Sequence, residues 1–350
     1  MTRRRLLAAA ALSAPVLLTR RLASAAPEPN LSLGGAPTGF GLHLRAARAA
    51  NQSADLVELC HYLGLGCVET RLPAMDAESV KAFRQKLEAI HMRLILDTPL
   101  PRDAADVERF DAAVKACKDA GAYSLHAAMT QRRYEEFDTF AAFKAKFEQC
   151  QKQIELAEPV LRKHRLALGI ENHKGWRSAE QAAWLKRVGS EWVGVHLDFG
   201  NNISLCETPE QTLENLGPFA VACHIKDMAV ESYEDGFLLS EVPLGEGVLD
   251  LGHWVQALRA RNREIPFDLE TITRDPLKIP VFKEKYWATF DDAYSPLPGH
   301  DLARVLELVR NNPPKSPLPK ITGLSLAEQA KLEDGNNQKS IDYARAKLGL

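Results

Sequence analysis

The chain alternates between two periodicities, and that alternation constrains the fold more than any other feature. Eight short apolar runs, at 40–44, 67–70, 93–97, 123–127, 166–172, 192–198, 219–226 and 265–271, have strand length and strand composition. Helical spacing of apolar residues fills the intervals, near 53–63, 77–90, 104–120, 134–164, 178–188, 209–216 and 251–261. Strands that alternate with helices predict a parallel sheet, and eight units over about 240 residues are the length of an α/β fold of the (β/α)8 TIM barrel type. A doubly wound open sheet is the competing architecture, and it wants a glycine-rich first turn. The first run is followed instead by Arg45-Ala46-Ala47-Arg48, so the dinucleotide fingerprint is missing. The barrel is expected at 38–273. The remaining 274–350 read as a C-terminal extension, with a connector at Pro313, Pro314, Pro317 and Pro319 and two helical patterns at 326–332 and 340–348, packing on the barrel or on a neighbouring subunit.

The first 25 residues read as an address. Arg3, Arg4 and Arg5 precede an apolar stretch at 6–18, and Ala23-Ser24-Ala25 offers a small-residue cleavage site. The stretch is shorter than the roughly 20 residues a spanning helix needs. Thr2-Arg3-Arg4-Arg5-Leu6-Leu7 resembles the twin-arginine export consensus, and Arg20 and Arg21 before the cut suit that route; an ordinary secretory signal is the plainer reading. Removal of this segment takes five arginines and no acid, moving the formal charge from −2 to −7. An acidic mature chain argues against nucleic-acid binding. No membrane segment remains after cleavage, and a periplasmic or extracellular homo-oligomer is allowed. The six cysteines contain no C-x-x-C pair and sit in apolar patterns, so buried thiols are expected rather than a disulfide framework or zinc knuckle.

Chemistry concentrates at the ends of the last four strands. Side chains alternate faces along a strand, so parity can be read directly. Glu171 shares its face with Gly169 and Ala167; Asp198 with His196 and Gly194; His224 and Lys226 with Ala222; Glu270 with Asp268. Each strand thus aims a polar group inward at its C-terminal end, where barrel enzymes place their sites. Three carboxylates at one mouth repel each other unless a cation joins them. Glu171, Asp198, His224 and Glu270 therefore read as ligands of one divalent ion. Three oxygens and one imidazole favour Mn²⁺ or Mg²⁺, with Co²⁺ or Zn²⁺ as alternatives. The bland alternative is four strand ends making caps and salt bridges.

The segments Ile170-Glu171-Asn172-His173, His196-Leu197-Asp198-Phe199-Gly200-Asn201, His224-Ile225-Lys226-Asp227, Pro243–Asp250 and Asp268-Leu269-Glu270 resemble the xylose-isomerase-like barrel superfamily, the sugar (phosphate) isomerases and epimerases. The resemblance covers about 38–273 and is specific for the superfamily rather than for one reaction. It implies that Glu171, Asp198, His224 and Glu270 hold the metal, and that Glu171 and Glu270 also form the acid/base pair of a keto-sugar 3-epimerase. Two positions depart from that branch. Asn201 stands where it has a histidine, and Val230 where it has an arginine. The apurinic endonuclease branch needs further histidines that this chain lacks.

Enolisation follows from such a site. A metal polarises a carbonyl and adjacent hydroxyl, and a carboxylate moves the neighbouring carbon-bound proton. Reprotonation makes an isomerase or epimerase of a non-phosphorylated sugar, keto-sugar or cyclitol. Loss of a β-substituent, as from a 3-keto-glycoside, makes a lyase or dehydratase. A metal-dependent hydrolase and a non-catalytic sugar-binding protein are the other classes.

Further residues are candidates with plainer readings beside them. Lys226 can stabilise an enolate as a catalytic residue, or simply pair with Glu270. His173, Trp176, Asn201, His126 and Glu69 are candidate substrate contacts, although a packed loop residue is the commoner reading of a tryptophan such as Trp176. His43 can line the mouth if 40–44 is a strand. His196, one step deeper, reads as core or as support for a ligand. Glu246 reads as a turn residue, and the basic run at 259–263 as a solvated helix end.

Overall fold

The computed structural model describes residues 30–291 and 297–350; the export-type segment at 1–25 lies outside them. In chain order the strands are β1 (Asn30–Gly35), β2 (Leu65–Thr70), β3 (Arg93–Asp97), β4 (Ser124–Ala127), β5 (Ala167–Ile170), β6 (Val193–Asp198), β7 (Ala220–Ile225), β8 (Asp227–Tyr233), β9 (Gly236–Val242), β10 (Phe267–Leu269) and β11 (Leu277–Ile279). Eight of these run parallel and close a barrel in the order β1-β10-β7-β6-β5-β4-β3-β2. The fold is a (β/α)8 barrel.

Its wall is built by α1 (Gly41–Ala49), α2 (Leu56–Tyr62), α3 (Ala77–Ala89), α4 (Val107–Asp119), α5 (Arg133–Glu136), α6 (Phe140–His164), α7 (Ser178–Val188), α8 (Pro209–Leu216) and α9 (Leu251–Arg261). The extension adds α10 (Glu284–Trp287), α11 (Gly299–Asn311) and α12 (Leu326–Tyr343). Local signals explain several boundaries. In α8, Thr208 and Gln211 form a reciprocal capping box and Pro209 opens the first turn, where its missing N–H costs nothing. All six cysteines are free and buried.

The first strand is a correction. The run at 40–44 alternates like a strand, yet it enters α1, and the strand that fills this place in the barrel is Asn30–Gly35. Leu42, Leu44 and Ala47 supply the helix's buried side. The Leu-, Arg- and Ala-rich run at 42–50 favours helix, and an anchor for its start lies 290 residues away. Glu333 of α12 accepts the Leu42 N–H at 3.0 Å and the His43 N–H at 2.7 Å, satisfying two amides that open a helix without internal partners. His43 consequently faces Asp334 at 2.9 Å instead of the barrel mouth.

The extension packs on this chain's own barrel. Its last helical patterns, expected as two, form one helix through Gly335-Asn336-Asn337. These are weak helix formers, but Asn336 donates to Thr273 at 2.9 Å and Asn337 to the Gly39 carbonyl at 2.8 Å, so tertiary contacts override propensity. Burial lifts the Glu333 carboxyl to about 7, from an ordinary value of 4.5. The folded chain therefore holds this proton more tightly than the unfolded one. The resulting stability is complete below pH 4.5 and is lost as pH rises through about 7. Urea denaturation should show the native chain losing ~2 kcal/mol relative to Glu333→Gln between about pH 5 and about pH 8. Parallel pH profiles for the two proteins would refute this.

A second difference is the antiparallel sheet β11-β9-β8: the β8-β9 hairpin is inserted between β7 and α9, and β11, which follows β10, pairs with β9. The sequence reading ran straight through it. Asp235-Gly236, a turn dipeptide between two apolar runs, was the available signal.

Candidate active site

Glu171 immediately follows β5, Asp198 ends β6, His224 lies in β7 and Glu270 immediately follows β10. The barrel order makes these four strands consecutive neighbours. One donor atom from each residue lies within 4.8 Å of the others, and all four side chains are buried. Exposure is graded: Glu171 and Glu270 are each 6 % exposed, while Asp198 and His224 are 0 % and 1 %. The two glutamates are thus the members nearest solvent.

Each donor is held by a neighbour. Asn172 accepts the Asp198 N–H at 2.7 Å and donates to the Asp198 carbonyl at 2.8 Å, stitching the end of β5 to that of β6. The Asp198 Oδ1 accepts from the Gly200 and Asn201 amides at 3.0 and 2.8 Å. Its Oδ2 is left facing the Lys226 Nζ at 2.6 Å. Glu270 accepts from Thr38 at 2.6 Å and from Lys226 at 2.5 Å. Asn201 donates to Glu171 at 3.1 Å and accepts from Lys174.

His224 is set up as a metal ligand. Its Nε2 pairs with Glu69 at 2.8 Å, while its Nδ1 lies 3.6 Å from Glu270 and 3.9 Å from Glu171. That Nδ1 is buried with no hydrogen bond. A carboxylate behind one imidazole nitrogen fixes the tautomer and leaves the other free to bind a cation, as metal-binding histidines do. The donor set of three carboxylates and one such nitrogen fits a divalent ion.

Electrostatics agree. Burial would lift the Glu171 carboxyl, but His173, His126 and His224 outweigh it and hold it well below the usual range. Burial likewise opposes ionised Glu270, and Lys226 and His224 prevail, so it too is held low. Burial dominates at Asp198 and raises it, despite Lys226. Burial would lower His224, yet Glu270, Glu69 and Glu171 raise it well above the imidazole range. Lys226 and the neighbouring histidines are the positive charges that keep the two glutamates ionised.

The remaining candidates fall into place unevenly. Lys226 is fully buried and pairs with both Asp198 and Glu270, the plainer of its two readings. Glu69 and His126 sit behind the donors: His126 bonds Asp97 at 2.7 Å, and its Nε2 lies 3.4 Å from Glu171. His196 lies among them, its ring 4.1 Å from that of His224. Burial and the other two histidines keep it neutral. Glu69, His126, His196 and His224 form a second buried group with metal-ligand spacing. His173, half-buried, contacts the Thr130 carbonyl at 2.7 Å. Trp176 is a correction. It is 2 % exposed and packs against Phe147 and Trp184 at 4.9 and 5.5 Å, in the wall and not at the mouth.

Four further participants, Thr38, Asp97, Lys174 and Glu241, are not among the residues expected from sequence. Thr38 follows the unrecognised first strand. Asp97 ends β3, and the parity that exposed Glu171 applies to it equally. Lys174, buried in a left-handed backbone conformation (φ 46), is drawn down to about 8 by burial and Lys226. Glu241 of β9 is buried and accepts from Arg274 at 2.6 and 3.2 Å. Asp268 is buried beneath Glu270 with both oxygens unbonded, and burial pushes it up to about 7. Only glycine fits opposite it, since a Cβ at Gly34 would stand 2.0 Å from its Oδ1.

Comparisons with known proteins extend the picture. The chain is 30% identical over 109 residues to the 3-oxo-isoapionate decarboxylase of Pectobacterium atrosepticum, a match that spans 31% of this chain and 40% of that protein. The structure of D-psicose 3-epimerase in the presence of D-fructose superposes with a TM-score of 0.55 at 15% identity, covering 91% of this chain and 100% of the other. The probable 3-DHS dehydratase AsbF of Bacillus anthracis, involved in petrobactin synthesis, superposes at 0.50 and 12% identity, covering 68% and 91%. At those identities the two structures establish the fold alone. Residues 46–289, well over half the chain, match the family described as xylose isomerase-like TIM barrel, and the protein belongs to that family.

Proposed function

We propose that this chain is a divalent-metal-dependent isomerase or epimerase of a non-phosphorylated sugar, keto-sugar or cyclitol, acting by proton transfer at the carbon beside a carbonyl. The observation that carries the reading is the convergence of Glu171, Asp198, His224 and Glu270 within 4.8 Å. Family membership supports a carbohydrate substrate. When bound, a divalent ion would supply Lewis acidity toward a carbonyl and its neighbouring hydroxyl, worth several kcal/mol. Asp198 and His224, the most deeply buried of the four, would hold it together with Glu171 and Glu270. Glu171 and Glu270, nearest solvent and both held ionised, are placed to take a proton from substrate carbon and return it. Thr38 keeps Glu270 in position, and Asn201 does the same for Glu171. Carboxylates so positioned contribute typically 10²–10⁴-fold.

Elimination or decarboxylation of a keto-sugar acid is the second reading. The 3-oxo-isoapionate decarboxylase resemblance favours it, because loss of carbon dioxide from a 3-oxo acid also passes through an enolate. The twin-arginine pattern at 1–25 supports export to the periplasm or beyond.

Two measurements decide. Elemental analysis of the purified protein should find one divalent metal per chain. Incubation with non-phosphorylated ketoses and keto-glycosides in D₂O should place deuterium on substrate carbon, which hydrolysis does not do. A protein that holds no metal, or that turns over substrate without exchange, would reject the reading.

A further inference from the structure

We infer that Lys226 is an internal counter-ion: it occupies the cation position of the carboxylate cluster and yields that position when a divalent ion enters. The inference rests on the metal reading above. Its geometric basis is the Lys226 Nζ, 2.6 Å from Asp198 Oδ2 and 2.5 Å from Glu270 Oε2, on a fully buried side chain. Both oxygens belong to residues of the convergent metal-ligand set. Three carboxylates in a water-poor pocket cannot stay together without positive charge among them, and Lys226 supplies it. The ammonium thereby keeps the site assembled before any ion arrives.

A divalent ion bound through those two oxygens puts a like charge close to the ammonium, and that repulsion favours displacing it. Lysine suits an exchange of this kind, being a compact charge on a flexible four-carbon stem, whereas a planar guanidinium would clamp both carboxylates. Glu241, on the β8-β9 hairpin, is a further carboxylate that favours the Lys226 charge, and it is itself paired with Arg274.

The test is Mn²⁺ binding by isothermal titration calorimetry on metal-stripped wild type, Lys226→Met and Lys226→Gln, with thermal melting of each. Both variants should bind Mn²⁺ roughly tenfold more tightly or better, since the ion no longer competes with a resident charge. Stripped of metal, both should melt below wild type, and saturating Mn²⁺ should close that gap. The glutamine variant keeps a polar side chain in the pocket should the methionine variant fail to fold. If wild type binds Mn²⁺ and the variants bind it no more tightly, the counter-ion inference falls while the metal reading stands. Binding by the variants alone would make Lys226 a permanent structural cation, which also overturns the exchange. If no form binds Mn²⁺, the metal reading itself fails.

Discussion

Glu270→Gln is expected to slow solvent-deuterium exchange into substrate by roughly 10³-fold or more, while the far-UV circular dichroism spectrum stays close to wild type. The substitution is nearly isosteric. A glutamine carbonyl still accepts from Thr38, which now lies 2.6 Å from Glu270 Oε1, so the loop after β1 stays docked. What disappears is charge. Glu270 Oε2 faces Lys226 at 2.5 Å and the His224 Nδ1 at 3.6 Å, and its ionised form is what both of those groups favour. Loss of one negative charge from a set of three weakens any divalent ion held there. Loss of the only basic atoms of residue 270 removes a proton acceptor of the pair nearest solvent. The two effects compound, which places the expected fall toward the upper end of the range for general acid–base catalysis. Undiminished exchange by Glu270→Gln would show that protons move through another group.

How much of this was legible beforehand depended on the range of the interactions involved. Parity along a strand is local, and it put Glu171, Asp198, His224 and Glu270 on one inner face from sequence alone. The same rule applied to the run at 93–97 would have exposed Asp97, whose bond to His126 needs only a strand end beside a strand end. The first strand was lost for the opposite reason. Phe40, Leu42 and Leu44 alternate with period two, but the Leu-, Arg- and Ala-rich run at 42–50 favours helix, and Glu333 anchors that helix from the far end of the chain. With the true first strand went the loop carrying Thr38, and so a direct partner of Glu270. Trp176 follows the plainer of its two readings, the packed loop residue. Aromatic residues after a barrel strand suit sugars, but an indole against Phe147 and Trp184 buries more apolar surface than an open mouth offers.

Arg133→Ala is expected to cost about 4 kcal/mol of folding stability, the largest loss predicted for a residue outside the site. Arg133 is fully buried between two aromatic rings, its guanidinium carbon 3.7 Å from the Phe143 centroid and 4.2 Å from that of Phe290. It pairs with Glu180 at 3.2 Å and donates to the Thr289 hydroxyl at 3.0 Å and to the Thr289 carbonyl. These partners belong to three separate parts of the chain: α6, α7 and the segment following α10. One side chain therefore ties the extension to the barrel wall. Truncation to alanine leaves a cavity between the rings and strips Glu180 of its buried countercharge, though Glu180 still accepts the Arg177 N–H at 2.9 Å. Removing one member of a buried pair costs about 3–5 kcal/mol, mostly because the other charge stays desolvated. The double variant Arg133→Met/Glu180→Gln refills the space between the rings and removes the stranded charge. It should recover most of the loss in denaturant midpoint. A double variant as unstable as Arg133→Ala would mean that the guanidinium stabilises through its bonds to Thr289 and its ring contacts, and that countercharge is secondary.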